Sequence, residues 1–369
     1  MTRPVFLFGT LLDPELYEIV SGAPFAARPA KLEDARVHWV DGEAYPTLVA
    51  TPGQKAPGIL VSPKDAARAR LDFYELGFGY ALETRRVQSE DGPVDADIYV
   101  AQGDQPIGAA WSFQEWQQEH AALARLAARE YILLQDTHTP EAAARTFPQI
   151  RVRAASWLRA RREPSPEPFS PKMAAHTVRP ERTEQPYTDF FAVREDWLKF
   201  PKFGGGEGPL VKRATFLGGD AVTVLPYDPS IDSVLIIRQF RHGAFVRGDS
   251  NAWALEPAAG RIDPGEGPED TAKRELLEET GVVATSLHLV GRYYPSPGAY
   301  SEYLYSYVAT ADLAGEDGGV AGLETEGEDI MRHVVRFSDA TAMIETGAIN
   351  TGPLILSLGW LALNKAKFT

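Results

Sequence analysis

The segment GRIDPGEGPEDTAKRELLEETGV, residues 260–282, decides the fold and the chemistry of the half of the chain that carries it. Pro268 stands at an allowed first-turn position and Gly281 at a left-handed cap, so the segment predicts a helix from near Pro268 to Thr280. On that helix Glu275, Glu278 and Glu279 fall at i, i+3 and i+4, which crowds three carboxylates onto one face. Like charges at this spacing destabilise a helix unless something neutralises them, and a hard, oxygen-seeking divalent cation is the natural neutraliser. The run ELLEE alone would read as a solvated acidic face. Gly260, Glu266, Arg274 and Gly281 in register with it turn the reading toward a metal site.

From Gly260, five residues lead to Glu266 and seven more to Arg274-Glu275, followed by Leu276, Glu278-Glu279, Gly281 and Val282. This spacing resembles the Nudix box, found in hydrolases of nucleoside diphosphates linked to another group. The resemblance implies a Nudix α/β/α sandwich and Mg²⁺ as cofactor, with Mn²⁺ as a substitute. It also implies Glu275, Glu278 and Glu279 as metal ligands, with Ala259, just before the box glycine, offering its backbone carbonyl. Arg274 would pair with acidic neighbours and fix their rotamers. Glu266 would orient the site, or serve only as a loop acid placed by the turn at Pro264-Gly265.

Outside the box, LVKRATFLGGDAVTVLPYDP (210–229), RQFR (238–241), WALEPAAGRIDPGE (253–266), SPGAYSE (296–302) and GLETEGEDI (322–330) resemble the ADP-ribose pyrophosphatase branch. Pro297, sixteen residues past Gly281, stands where ADP-ribose-type members carry a proline. In that branch the loop at 322–330 supplies a further metal-binding glutamate and the general base, which map to Glu328 and Glu326; a solvated acidic loop is the alternative. Arg241 is a phosphate or ribose contact, because a guanidinium matches two phosphate oxygens in a fork, and Arg213 is a second candidate. Glu302 is a further acid near the substrate. Relatives in this branch are homodimers that stack an aromatic on adenine, for which Phe190, Phe191 and Trp197 are candidates, core packing being equally open.

Composition sets the bounds. A chain of 369 residues suggests two domains, and 44% hydrophobic with 24% charged residues describes a globular protein. A formal charge of -14 leaves no basic excess to displace counterions, so nucleic acid is not the expected partner. There is no cysteine, hence no disulfide, thiolate nucleophile or zinc–sulfur site. The apolar run 354–363 is too short to span a bilayer, and a cytoplasmic location is the simplest expectation. Pro164, Pro166, Pro168 and Pro171 mark a linker over 161–186, between a domain at 1–160 and one at 187–369.

In the first domain, VFLF (5–8), GILV (58–61) and ADIYV (96–100) read as strands, and 113–134 and 140–162 as helical. After the linker, AVTVLPYD (221–228) and SVLIIRQF (233–240) read as an antiparallel pair. Mixed elements on both sides make each domain α/β or α+β. The fragments VFLFGTLLDPELYEIVSG (5–22), YPTLVATPG (45–53), APGILVSPKD (56–65) and LDFYELGFGY (71–80), in this order, resemble the gamma-glutamylcyclotransferase-like (AIG2-like) fold, a mixed barrel. That resemblance makes Phe8, Gly9, Thr10 and Leu11 a turn whose N–H groups face the substrate, and Glu75 the proton-moving acid while 5-oxoproline forms. A lone carboxylate does this when burial lifts its pKa toward neutrality. The family's Tyr-x-Arg pattern is missing, since Ala81 and Leu82 follow Tyr80.

The reading favoured is Mg²⁺-dependent hydrolysis of ADP-ribose to AMP and ribose 5-phosphate, with a possible second site in the first domain. The alternatives are another ADP-sugar or a dinucleotide such as NADH, or a gamma-glutamyl cyclotransferase carrying a nucleotide-sensing module. Two-domain proteins of this layout are also associated with tellurite resistance.

Overall fold

The computed structural model describes residues 3–163, 174–316, 318–323 and 327–368. Internal contacts divide the chain into two units, Met1–Leu158 with Thr188–Phe190, and Arg159–Tyr187 with Phe191–Thr369.

The first unit runs β1 (Val5–Leu7), α1 (Pro14–Ser21), β2 (Ala27–Val40), β3 (Pro46–Val61), α2 (Asp65–Leu76), β4 (Tyr80–Ser89), β5 (Gly92–Ala101), β6 (Ile107–Ala110), α3 (Phe113–Glu119), α4 (Ala121–Tyr131) and α5 (Pro140–Arg162). Its strands follow the order β3-β1-β5-β4-β2-β6, and a further pairing of β2 with β3 closes five of them into a barrel. Alternation along β1 assigns its two faces. Phe6 and Phe8 join Leu32, Leu60 and Ile98 in one apolar cluster, while Val5 and Leu7 pack with Leu16 of α1, Leu71 of α2 and Tyr131 of α4. The chain leaves β1 through a single 3-10 turn, Thr10–Leu12. Asp13 then caps α1 by accepting from the Leu16 amide at 2.9 Å, and Arg125 of α4 holds both its oxygens at 2.9 and 2.6 Å. Burial opposes ionisation of Asp13, yet the Arg125 guanidinium and the cap bond keep its carboxyl below the usual range.

The second unit opens with a three-stranded sheet, β7 (Arg179–Thr188), β8 (Ala192–Lys199) and β9 (Val211–Leu217). It corrects the linker expected over 161–186: α5 continues to Arg162, and 179–186 take part in β7. The main sheet then gathers β10 (Ala221–Asp228), β11 (Ser233–Phe240), β12 (Trp253–Glu256), β13 (Ala258–Arg261), β14 (Ser286–Tyr293), β15 (Leu304–Thr310), β16 (Gly319–Ala321) and β17 (Ile330–Arg336). Its strand path is β14-β15-β10-β11-β17-β16, with β12 against β11 and β13 against β10. A short α6 (His242–Arg247) and three longer helices, α7 (Pro268–Thr280), α8 (Phe337–Glu345) and α9 (Gly352–Asn364), complete the unit.

Burial on both faces explains the unbroken apolar runs of β10 and β11. Val222 and Val224 pack with Ala272 and Leu276 of α7. Leu225, Tyr227, Val234 and Ile236 pack with Phe337 and Ala340 of α8 and with Leu354, Leu358 and Leu361 of α9. Helices on opposite faces of one mixed sheet make an α/β/α sandwich. The α7 helix starts with Pro268 in its first turn and ends at Gly281, whose φ of 71° is the left-handed cap that glycine reaches without strain.

Candidate active sites

α7 buries Ala272, Leu276 and Glu279 against the sheet, which leaves Glu275 and Glu278 beside Arg274. Arg274 knits the acids together. Its Nε and Nη2 donate to the two oxygens of Glu266 at 3.0 and 2.9 Å, and its Nη1 donates to Glu275 at 2.8 Å and Glu278 at 2.9 Å. The Arg274 bond holds the Glu266 carboxyl below its ordinary pKa. Gly260, on β13 beneath this helix, is bare because the Glu275 carboxyl lies there: a Cβ on Gly260 would fall 1.9 Å from it.

Glu279 is 1% exposed. Its Oε2 accepts the Ala259 amide at 2.7 Å, and its Oε1 has no partner among the described residues. Burial pushes its carboxyl up to about 8; the Ala259 bond works against this, and the charges of Glu328 and Glu275 add to it. Glu328 accepts the Leu323 amide at 3.2 Å. Glu326 lies outside the described residues. Arg241, at the end of β11, donates to Glu256 at 2.6 Å and is close enough to favour the charged form of Glu279. Glu302 is pushed up by burial, against Arg261, a Tyr300 hydrogen bond and Arg241. Pro297 is exposed in the loop before β15. Arg213 is exposed on β9, where its guanidinium donates to the Lys212 carbonyl at 3.0 Å, and no described contact brings it to the carboxylates. Of the three aromatic candidates, Phe191 meets this site: its ring lies edge-on to Tyr300 at 6.1 Å, with the Arg261 guanidinium 5.4 Å above it. Trp197 instead has Arg182 at 4.5 Å and Lys212 at 4.8 Å over its ring, and Phe190 is an exposed ring.

The first unit holds a cavity of about 430 Å³. Phe8, Gly9, Thr10 and Leu11 line it, and so does Glu75, near the end of α2. The N–H groups of Thr10 and Leu11 open a 3-10 turn and so lack an acceptor within it. The Glu75 carboxyl has no hydrogen bond or ion pair among the described residues, and burial alone pushes it up to about 7. A carboxyl raised in this way has the pKa that general acid–base chemistry near neutral pH calls for.

Comparison with known proteins places these two sites in different families. Residues 218–355 match the family model "NUDIX domain", and residues 5–118 match "Gamma-glutamyl cyclotransferase, AIG2-like". An ADP-ribose pyrophosphatase of Haemophilus influenzae is 36% identical over 183 residues, 49% of this chain and 84% of the relative. An ADP-ribose pyrophosphatase of Escherichia coli K12 is 35% identical over 178 residues, covering 48% and 84%. A GDP-mannose pyrophosphatase of Shigella flexneri is 33% identical over 153 residues, covering 42% and 78%. The chain belongs to the Nudix hydrolase family. As a Nudix hydrolase it acts on pyrophosphate bonds, and it carries an AIG2-like domain ahead of its Nudix domain.

Nudix hydrolases generally need a divalent metal ion. The residues present fit one: the buried Glu279 Oε1 has no donor among the described residues, and Glu275 and Glu328 lie near enough to raise its pKa. Among the described residues no three carboxylate or imidazole groups converge as a ready cage. The reason is visible, since Arg274 draws Glu275 and Glu278 toward its Nη1 while the Ala259 amide holds Glu279. At Ala259 the contact shown is therefore its amide. Sequence reasoning passed over Arg261, whose neighbour Gly260 was singled out, and over the cavity walls beyond residue 113, whose helical pattern gave no chemical signal.

Proposed function

We propose that the Nudix domain hydrolyses the pyrophosphate of ADP-ribose with Mg²⁺: water attacks one phosphorus, the bond from that phosphorus to the bridging oxygen breaks, and AMP and ribose 5-phosphate leave. The observation that carries this reading is the buried Glu279 carboxylate, with one oxygen unpartnered, inside a domain 35% identical to an ADP-ribose pyrophosphatase. Glu275, Glu278, Glu279 and Glu328 are the residues that would hold the cation, and Ala259 the backbone group beside them. When bound, the cation neutralises the pyrophosphate oxygens and acidifies a water. Arg274 keeps Glu266, Glu275 and Glu278 in fixed rotamers. Arg241 and Glu302 face the substrate, Phe191 is the ring placed for a base, and Glu326 is the proposed general base.

The GDP-mannose pyrophosphatase relative favours a wider nucleotide-sugar range as the second reading. A panel of ADP-ribose, ADP-glucose, GDP-mannose and NADH with Mg²⁺, with products separated by chromatography, distinguishes the two. ADP-ribose should give the highest kcat/KM, and a tenfold preference for another substrate would displace it.

For the AIG2-like domain we infer a gamma-glutamyl cyclotransferase site, supported by Glu75, without a partner among the described residues, lining one cavity with the turn at Gly9–Thr10. Release of 5-oxoproline from gamma-glutamyl dipeptides by the wild-type chain, absent in Glu75→Gln, tests it.

A further inference from the structure

The cavity of the first unit is built in part from residues that the AIG2-like match, ending at 118, does not reach. Ala144, Phe147, Pro148 and Arg151 of α5 all line it. Arg151 has no hydrogen bond or ion pair among the described residues, and its charge is felt at Tyr45 on the same cavity wall. Glu43 also lines the cavity and its charge reaches the same Tyr45, but it forms no ion pair with Arg151 among the described residues. A guanidinium beside apolar surface without a bonded partner is poorly solvated, and a carboxylate ligand matches its fork of donors. Next to it, Phe147 meets Phe78 with ring centroids 5.0 Å apart, an apolar seat at the cavity. Pro148 lacks an amide hydrogen, so the Ala144 carbonyl one turn earlier loses its helical donor at the same wall. The volume, about 430 Å³, suits a small molecule rather than a chain segment.

We propose that this cavity binds a small amphipathic carboxylate, with Arg151 anchoring the carboxylate and the Phe78–Phe147 pair seating its apolar part. Combined with the cyclotransferase reading, on which this part rests, the ligand is a gamma-glutamyl derivative of an apolar amino acid. Its free α-carboxylate, on the side of the leaving amine, meets Arg151. In the reaction the substrate's α-amine nitrogen bonds to the γ-carbonyl carbon and the amide C–N bond breaks. Glu75 takes the proton from the attacking amine and delivers it to the departing nitrogen, so neither water nor an oxidant is consumed. Arg151 thereby selects which amine can leave.

The test is calorimetric titration of the full-length Glu75→Gln protein, which binds without turnover, with gamma-glutamylphenylalanine, its C-terminal carboxamide and 3-phenylpropanoate. The acid should bind at least tenfold more tightly than the amide. Arg151→Met in the same background should erase that difference, and Arg151→Lys should keep part of it. Equal binding of acid and amide, discrimination that survives Arg151→Met, or no binding of any probe overturns the anchor. Arg151-dependent binding of 3-phenylpropanoate alone supports the anchor and removes the gamma-glutamyl reading. Turnover of the dipeptide and its amide at equal kcat/KM by the wild-type chain does the reverse.

Discussion

Two carboxylates in this chain lack a full set of partners among the described residues, Glu279 buried and Glu75 half-buried on a cavity wall, and they answer to different surroundings. Glu279 sits among other acids, where a cation resolves the conflict, while Glu75 sits among aromatic rings and waits for a proton. For Glu75 the sign of the pH effect follows directly. Its carboxyl is pushed up from 4.5 to about 7 in the fold, so between these values the folded state holds a proton that the unfolded chain has lost. The contribution to stability therefore falls as pH rises through that window and levels off above it. Glu75→Gln carries no charge at any pH, so urea unfolding should show it gaining on wild type across the window, by at most about 1.4 kcal/mol per pH unit. A difference that does not change with pH would remove the raised pKa. Gly260→Ala places a methyl group where the Glu275 carboxyl lies. The side chain can swing aside, so the fold should persist while divalent-metal affinity drops about 10–100-fold, as measured by metal titration of activity.

At the scale of elements, α7 was legible because its signals are local: a proline at one end, a glycine at the other and acids at helical spacing between. Gly281→Ala should cost about 1–2 kcal/mol in urea unfolding, the strain of a Cβ at a φ of 71°. An unchanged midpoint would show that the helix end relaxes freely. β10 and β11 were legible from their continuous apolar runs, which two covered faces require. The strand at 179–186 was not, since its residues are mostly exposed and Pro180 and Pro186 argue for a spacer. It forms through pairing with β8, a partner that composition does not announce. The same reason hid Arg151: α5 reads as an Ala- and Arg-rich helix, and which of its cations lines a cavity depends on packing against elements far away in the sequence. What sets Phe191 apart from Phe190 and Trp197 is its contact with Tyr300 and Arg261, which depends on packing that the sequence does not announce.

For the whole molecule, two family matches and two sets of candidate acids in one chain predict two separable activities. Glu75→Gln should abolish 5-oxoproline formation and leave the Nudix reaction within about twofold of wild type, since mutations at separate sites with no shared partner act additively. Loss of both activities in Glu75→Gln would contradict that separation. No described helix is long and apolar enough to cross a membrane. The central claim is that Glu279 and its neighbouring acids carry the hydrolysis of ADP-ribose. It is tested most directly by kcat/KM for ADP-ribose with Mg²⁺ in wild type and Glu279→Gln, with AMP quantified as product. The wild-type chain should release AMP, and the variant should lose at least about a hundredfold in kcat/KM. A variant that turns over ADP-ribose at the wild-type rate would contradict it.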